Sequence, residues 1–373
     1  MTSDVFFEQI QQQLNKQLPF VVYRKPNDHL VKAMLQNTDL LHNVSDYTEK
    51  GFVFAPFDDS KDAILIPMED SEIIACDSII SNELEKSVEN TNCFEAEKQM
   101  HMNLVKKGLD AIKEGKFQKV VLSRCETVDL LKTNPLHIFK NLLQHYPTAF
   151  VNLWYHPKVG LWLGATPETL LEVEGSRFKT MALAGTQNYN GTIDVTWENK
   201  EKEEQQFVTD FIVDSLKASV SSLNVSKAIT VKAGNVIHLK TAISGILDFK
   251  LLNFKQVLKA LHPTPAVCGL PKEKAKEFIL KNENYYREFY TGFLGELNLQ
   301  EKTSRNANRR NVENNAYRAV KNVSNLYVNL RCMKISEQKA HIYIGGGITK
   351  DSKPEAEWQE TVAKAAVMKK VLQ

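Results

Sequence analysis

The chain of 373 residues is 43% hydrophobic and 25% charged, the composition of an ordinary globular protein. Its 47 Lys+Arg nearly cancel its 45 Asp+Glu, leaving +2, which argues against a charge-driven nucleic-acid binder and leaves any anionic ligand to be met by local groups. The opening MTSDVFFEQIQQQLNKQ lacks the pattern of a signal peptide, no apolar run approaches the roughly 20 residues of a membrane span, and five scattered cysteines without C-x-x-C argue against a disulfide scaffold, so a cytoplasmic protein is expected.

Residues 1–95 hold strand-like stretches at FVVYRKP and DAILIPM, and a strand followed by a loop at EKGFVFAPFDDSKD. From Ala96 the pattern sharpens: Met100, Leu104, Ala111 and Ile112 mark a helix ending near Gly115. FQKVVLSR, residues 117–124, follows as a strand that sets Phe117, Lys119, Val121 and Ser123 on one face. A lysine between two apolar neighbours is either an edge strand's guard against aggregation or an amine whose charge its surroundings make negotiable. AFVNLWYHPKVGLWLGA predicts two strands about a Pro-Lys turn, and RFKTMALAG another. A long helix is expected from Lys200 to Leu223, then a strand at NVIHLKTAISGIL. LKALHPTPAVC leads into a proline-punctuated loop, with Pro271 placed as a first helical residue. YTGFLGELNL and NLYVNLRCMKI read as paired strands around a polar stretch rich in Asn and Arg. That stretch is nearly without aromatic residues, which favours a solvated hairpin insertion over a nucleic-acid patch. AHIYIGGGITK reads as a last strand running into glycines, and a terminal helix starts at Pro354. Strands come in runs, so an antiparallel α+β architecture is favoured over a doubly wound sheet.

Two acidic clusters stand out. Glu201 and Glu204 are three apart on a predicted helix, as are Glu357 and Glu360, with Lys364 one turn beyond. Acids near helix starts complement the macrodipole; two such pairs without a His or Cys pattern also suit a hard cation such as Mg²⁺, which takes one or two carboxylates beside an anionic substrate. Glu168 follows Pro167 just after an apolar strand, a setting that raises a carboxyl pKa and can hold it protonated as a general acid. Arg331, alternating with Asn329 and Met333 on a strand face, offers a fork to a carboxylate. Gly345, Gly346 and Gly347 at a strand end could bring backbone N–H groups to the same anion. GGGITK is not a phosphate-binding loop of the G-K-[ST] type, and neither a dinucleotide fingerprint nor G-x-S-x-G is present.

Taken together and in order, FQKVVLSR, GATPETLL, MALAGT, HLKT, LHPTPAVCGLP, REFYTGFLGEL, LRCMKI and GGGITKDSKPEAEWQET resemble the chorismate-utilising enzymes, the family of anthranilate synthase component I. Within it the chain is most similar to the isochorismate synthases. The resemblance covers residues 96–373; residues 1–95 contribute little to it and are expected to be integral to the same sheets. It implies large antiparallel β-sheets packed face to face with helices outside, chorismate as substrate, and Mg²⁺ as cofactor. By position, Lys119 matches the general base that activates water and Glu168 the acid that protonates the departing hydroxyl. Glu204 and Glu360 match the principal Mg²⁺ ligands, and Glu201 and Glu357 their acidic neighbours. Arg331 and Gly345–Gly347 match groups receiving the substrate carboxylates; Tyr290, Lys364, Ala184, His238 and Thr241 match the rest of the substrate pocket.

The finer resemblance rests on fewer residues. Relatives that transfer ammonia commonly carry glutamine at the position of Lys119 and draw on a glutaminase subunit, so no such partner is expected here. Aminodeoxychorismate synthases often place a lysine nucleophile where this chain has Ala184. Salicylate synthases, the alternative, share the lysine and the glutamates but eliminate pyruvate, and tend to depart from the HPTPA kept at His262–Ala266. Gly346 stands where the family usually has alanine, and an insertion at about residues 300–324 lengthens a hairpin. The expected product is isochorismate, for menaquinone, a siderophore or another end that the sequence does not specify, and a monomer is expected.

Overall fold

Every strand pairing in the computed structural model is antiparallel, and the strands gather into two sheets. The structure describes residues 1–77, 95–130, 134–233, 236–249, 251, 253–302 and 320–372. Most of the expected hairpin insertion, like Cys93, therefore lies outside the described residues.

Helix α1 (Ser3–Asn15) leads into β1 (Phe20–Arg24), β2 (Leu30–Gln36), β3 (His42–Asn43), β4 (Gly51–Ala55), β5 (Ile64–Pro67) and β6 (Ser71–Asp77). Then come α2 (Glu95–Lys113), β7 (Lys119–Asp129), α3 (Pro135–His145), β8 (Phe150–His156) and β9 (Gly160–Thr166). Strands β10 (Thr169–Glu174) and β11 (Arg177–Asn188) precede α4 (Asn199–Leu216), β12 (Val220–Val225), β13 (Ile229–Ala233) and β14 (Val236–Leu247). The chain continues through α5 (Phe254–Leu261), β15 (Gly269–Leu270), α6 (Lys272–Asn282), β16 (Phe293–Lys302) and β17 (Val320–Val328). It ends with β18 (Cys332–Ser336), β19 (Lys339–Ile348) and α7 (Pro354–Lys369).

One sheet runs β15-β7-β19-β18-β9-β8-β1-β2-β6; the other runs β12-β14-β11-β10-β17-β16-β4-β5-β3, with β13 also on β14. Strands from residues 20–77 thus lie in both. The sheets face one another across a layer that is largely aromatic. Tyr23, Phe150, Trp154 and Trp162 of the first meet Phe52, Phe54 and Tyr327 of the second. The outer face of the first sheet packs under α1, α3 and α7 through Phe6, Phe139 and Met368. That of the second packs under α4 and α5 through Val208, Ile212 and Leu258. Strands covered on both faces need no polar side, which is why FVVYR and GFVFA are buried at every position.

Three sequence expectations shift. The helix expected to reach Leu223 stops at Leu216, because the serine-rich stretch after it pairs with β14 as β12. Pro271 caps α6 from outside and is not its first residue. NLYVNLRCMKI is not one strand: β17 ends at Val328 in the second sheet and β18 begins at Cys332 in the first. Among the described residues no helix is long and apolar enough to cross a membrane.

Candidate active site

Of the six passages the chain makes from sheet to sheet among the described strands, two are adjacent. Between β9 and β10 it crosses at Pro167-Glu168, and between β17 and β18 at Asn329–Arg331. The crossings run side by side: β18 pairs with β9, β17 pairs with β10, Val328 N donates to Glu168 O at 3.0 Å, and Ala165 N donates to Arg331 O at 3.1 Å. Where sheets split apart a cavity opens, and it has about 190 Å³ of space. It is walled by Glu168, Arg331, Tyr290, Ala184, His238 and the Gly345–Gly347 run, with Glu201, Glu204, Glu357, Glu360 and Lys364 from two helices.

Lys119 sits beneath that wall. It is 1% exposed, and its Nζ donates to Glu204 Oε1 at 2.7 Å. Strand β7 is flanked by β19 on one side and by the short β15 on the other, so this buried lysine is no edge guard. Gly347 makes room for it, since a Cβ there would lie 3.1 Å from both Lys119 Cε and Glu204 Oε1. Burial pushes the Glu204 carboxyl up, but the charge and hydrogen bond of Lys119 outweigh it and hold the group below its ordinary value. Glu168 has no such rescue: it is 4% exposed, and burial drives its carboxyl up to about 8 against a partial pull from Lys119. At neutral pH it is a proton donor.

The four acids enter on the first two turns of α4 and α7, Glu201 and Glu357 on the first and Glu204 and Glu360 on the second. Lys364 Nζ holds Glu360 Oε1 at 2.6 Å and donates to Gly345 O at 2.9 Å. The carboxyl of Glu357 is raised by burial, and Glu201 Oε2 and Glu357 Oε2 are buried with no hydrogen-bond partner. A Cβ on Gly346 would stand 3.3 Å from Glu357 Oε2 and 3.8 Å from Glu360 Oε1. Two orphaned carboxylate oxygens beside two further carboxylates fit a hard divalent cation that keeps several waters. Among the described residues no three His, Cys, Asp or Glu converge into a ready-made cage, so such an ion would be shared with water and substrate.

His238 stays neutral, its ring pushed down to about 4 by burial and then by the charge of Arg331. Its Nδ1 lies 2.9 Å from Gly185 O, which fixes the proton on that nitrogen and leaves Nε2 as an acceptor.

Two placements differ from expectation. Arg331 is in the crossing, with φ +47°, and does not share a strand face with Asn329 and Met333: Asn329 donates to Phe289 O and Met333 packs in the outer core. The three glycines lie at the end of β19 as expected, just before its last residue Ile348 and opposite Ser123, Leu122 and Val121. Their use is the space left by missing side chains. Thr241 does not line the cavity; it accepts from Gln205 Nε2 at 3.0 Å behind the wall. Sequence reasoning missed Tyr343 and Lys200, which do line it. Both had a signal: Tyr343 alternates with Gly345 and Gly347 along β19, and Lys200 is one helical turn before Glu204.

Comparison with known proteins agrees with this architecture. The family described as chorismate binding enzyme matches residues 52–304, and a second profile of that description matches 317–370. The chain is 28% identical over 291 residues to the isochorismate synthase DhbC of Bacillus subtilis (strain 168), covering 73% of this chain and 67% of that one. It is 30% identical over 287 residues to the isochorismate synthase MenF of Escherichia coli (strain K12), covering 72% and 59%. The matches thus span about three fifths to two thirds of those relatives' length. The crystal structure of DhbC from Bacillus anthracis superposes with a TM-score of 0.76 over 97% of this chain and 98% of that one, at 23% identity, a likeness of fold.

Proposed function

Because this chain belongs to the chorismate-binding enzymes, we propose that it is an isochorismate synthase, moving a hydroxyl from C4 of chorismate to C2. The observation that carries the reading is the pairing at one cavity of a buried carboxyl, Glu168, whose pKa burial drives up, with a buried lysine, Lys119. In the reaction, water adds at C2 while the C4 hydroxyl leaves from the other end of the allylic system. Lys119 acts as the free amine, having given up the proton it shares with Glu204, and takes the proton from the attacking water, while Glu168 gives one to the departing hydroxyl. One water enters and one leaves, so the product is an isomer. The proton gained by the lysine and the one lost by the glutamate are exchanged with solvent before the next turnover.

Arg331 and the open face of Gly345–Gly347 receive the substrate carboxylates, Tyr290 closes the wall beside them, and His238 Nε2 accepts from a substrate hydroxyl. Glu204 and Glu360, with Glu201 and Glu357 behind them, would hold Mg²⁺, which when bound neutralises and orients the ring carboxylate. Lysine at position 119 favours water over ammonia as nucleophile, and the reading needs no glutaminase subunit.

The test is NMR of chorismate incubated with the protein and Mg²⁺, in parallel with Lys119→Gln. Isochorismate rising to a stable ratio with chorismate, absent with the variant, is the expected result. Salicylate with pyruvate would instead make the protein a salicylate synthase, and untouched chorismate would overturn both.

A further inference from the structure

Arg287 and Glu283 form an ion pair whose side chains are each 2% exposed, outside the cavity yet bonded to three of its walls. Arg287 Nη2 donates to Val121 O at 2.7 Å and to Glu283 Oε1 at 2.6 Å; Nη1 donates to Val267 O at 3.0 Å and to Thr291 Oγ1 at 3.2 Å. Nε completes a fork with Glu283 Oε2 at 2.8 Å. Glu283 Oε1 in turn accepts from Ser123 N at 2.8 Å and Ser123 Oγ at 2.7 Å. Val121, Val267 and Thr291 all line the cavity.

The backbone explains why the pair is there. On one side β7 is zipped to β19 along its length. On the other side β15 pairs only with Lys119 and Val120, and the last backbone bond of that edge runs from Val121 N to Cys268 O at 2.8 Å. Val121 O and Ser123 N would be left as buried, unpaired main-chain groups. The carboxylate and the guanidinium take the place of the missing strand. A strand would give the same hydrogen bonds, but it would not reach Val267 and Thr291 as well.

We propose that Glu283 and Arg287 are positioning residues for the reaction, a side-chain clamp that fixes the β7 wall carrying Lys119 against the Val267 and Thr291 walls. The kinetic part rests on the isochorismate synthase reading. A buried ion pair is replaceable by apolar residues of similar volume without loss of folding, so Glu283→Leu/Arg287→Met is the informative variant. It is expected to fold, with amide exchange at Ser123 accelerated and that of central strand β1 unchanged. Its kcat should fall at least about tenfold, toward the roughly hundredfold that a misplacement of about 1 Å costs, with KM for chorismate nearly unchanged. Arg287→Lys, which keeps the charge without the fork, should recover part of kcat.

A folded double variant with unchanged kcat, with the loss confined to KM, or with Ser123 exchange unaltered would overturn the clamp. Should the double variant not fold, the same kcat-against-KM split in Arg287→Lys decides it. Wild-type protein that leaves chorismate untouched would sink the functional reading instead, and Ser123 exchange alone would then decide whether the pair fixes that wall.

Discussion

Glu168 differs from Glu204 because no cation pairs with it closely enough to offset its burial. Its carboxyl, at about 8, is neutral where Glu204 is charged. If it is the general acid, kcat should fall as pH rises through about 8. Glu168→Gln keeps the shape, and should lose that falling limb together with about 10²–10⁴ in kcat. Stability carries the same signature. The folded value lies above the ordinary 4.5, so the native state binds this proton more tightly than the unfolded chain. The contribution is therefore fully present below about 4.5 and is lost as pH rises through about 8. Thermal midpoints taken from pH 5 to 9 should drop more in the wild type than in Glu168→Gln; parallel curves would show that the carboxyl is not held protonated.

At the level of strands and helices, the site is built from what β19 omits and what α4 and α7 supply. Gly347→Ala puts a methyl group 3.1 Å from Glu204 Oε1 and Lys119 Cε in a strand where alanine is at ease. Turnover should collapse while stability moves by no more than about 1 kcal/mol; an active variant would mean that the lysine and glutamate can shift freely. Glu204→Gln and Glu360→Gln should each weaken Mg²⁺ binding in isothermal titration without chorismate, and EDTA should stop the wild-type reaction. Equal Mg²⁺ affinity in both variants and the wild type would remove these carboxylates from the ligand set. The helical acids were legible in the sequence because a spacing of three on a helix is a statement about one face. His238 and Thr241 are also three apart, but on a strand that spacing means opposite faces, and so Thr241 ends behind the wall. The crossing at Arg331 had no such sign. Leu330-Arg331-Cys332 contains neither glycine nor proline, and the left-handed backbone at Arg331 arises from the passage between sheets, which local sequence does not encode.

Across the whole molecule, both groups at the sheet crossings, Glu168 and Arg331, depend on how the sheets are held together, and the N-terminal strands take part in that. Phe52 of β4 is fully buried between the sheets, its ring 5.1 Å from Tyr23 and 6.4 Å from Phe150. Truncating it to alanine should cost about 3–5 kcal/mol, a large share of the roughly 5–15 kcal/mol that holds a typical native state. If residues 1–77 are part of one cooperative body with the catalytic region, Phe52→Ala shifts a single denaturant transition, and loss of the far-UV signal and of activity coincide. A region folding by itself would melt first and leave the cavity working, because Phe52 is not among the residues lining it. The pairing of β4 with β16 favours the single transition. Gly295 and Leu294 sit opposite Val53 and Phe54, and the same β16 pairs on its other edge with β17, whose end feeds the Arg331 crossing. Unzipping β4 would expose that edge and loosen the crossing with it, so the first event in unfolding should also be the loss of the site.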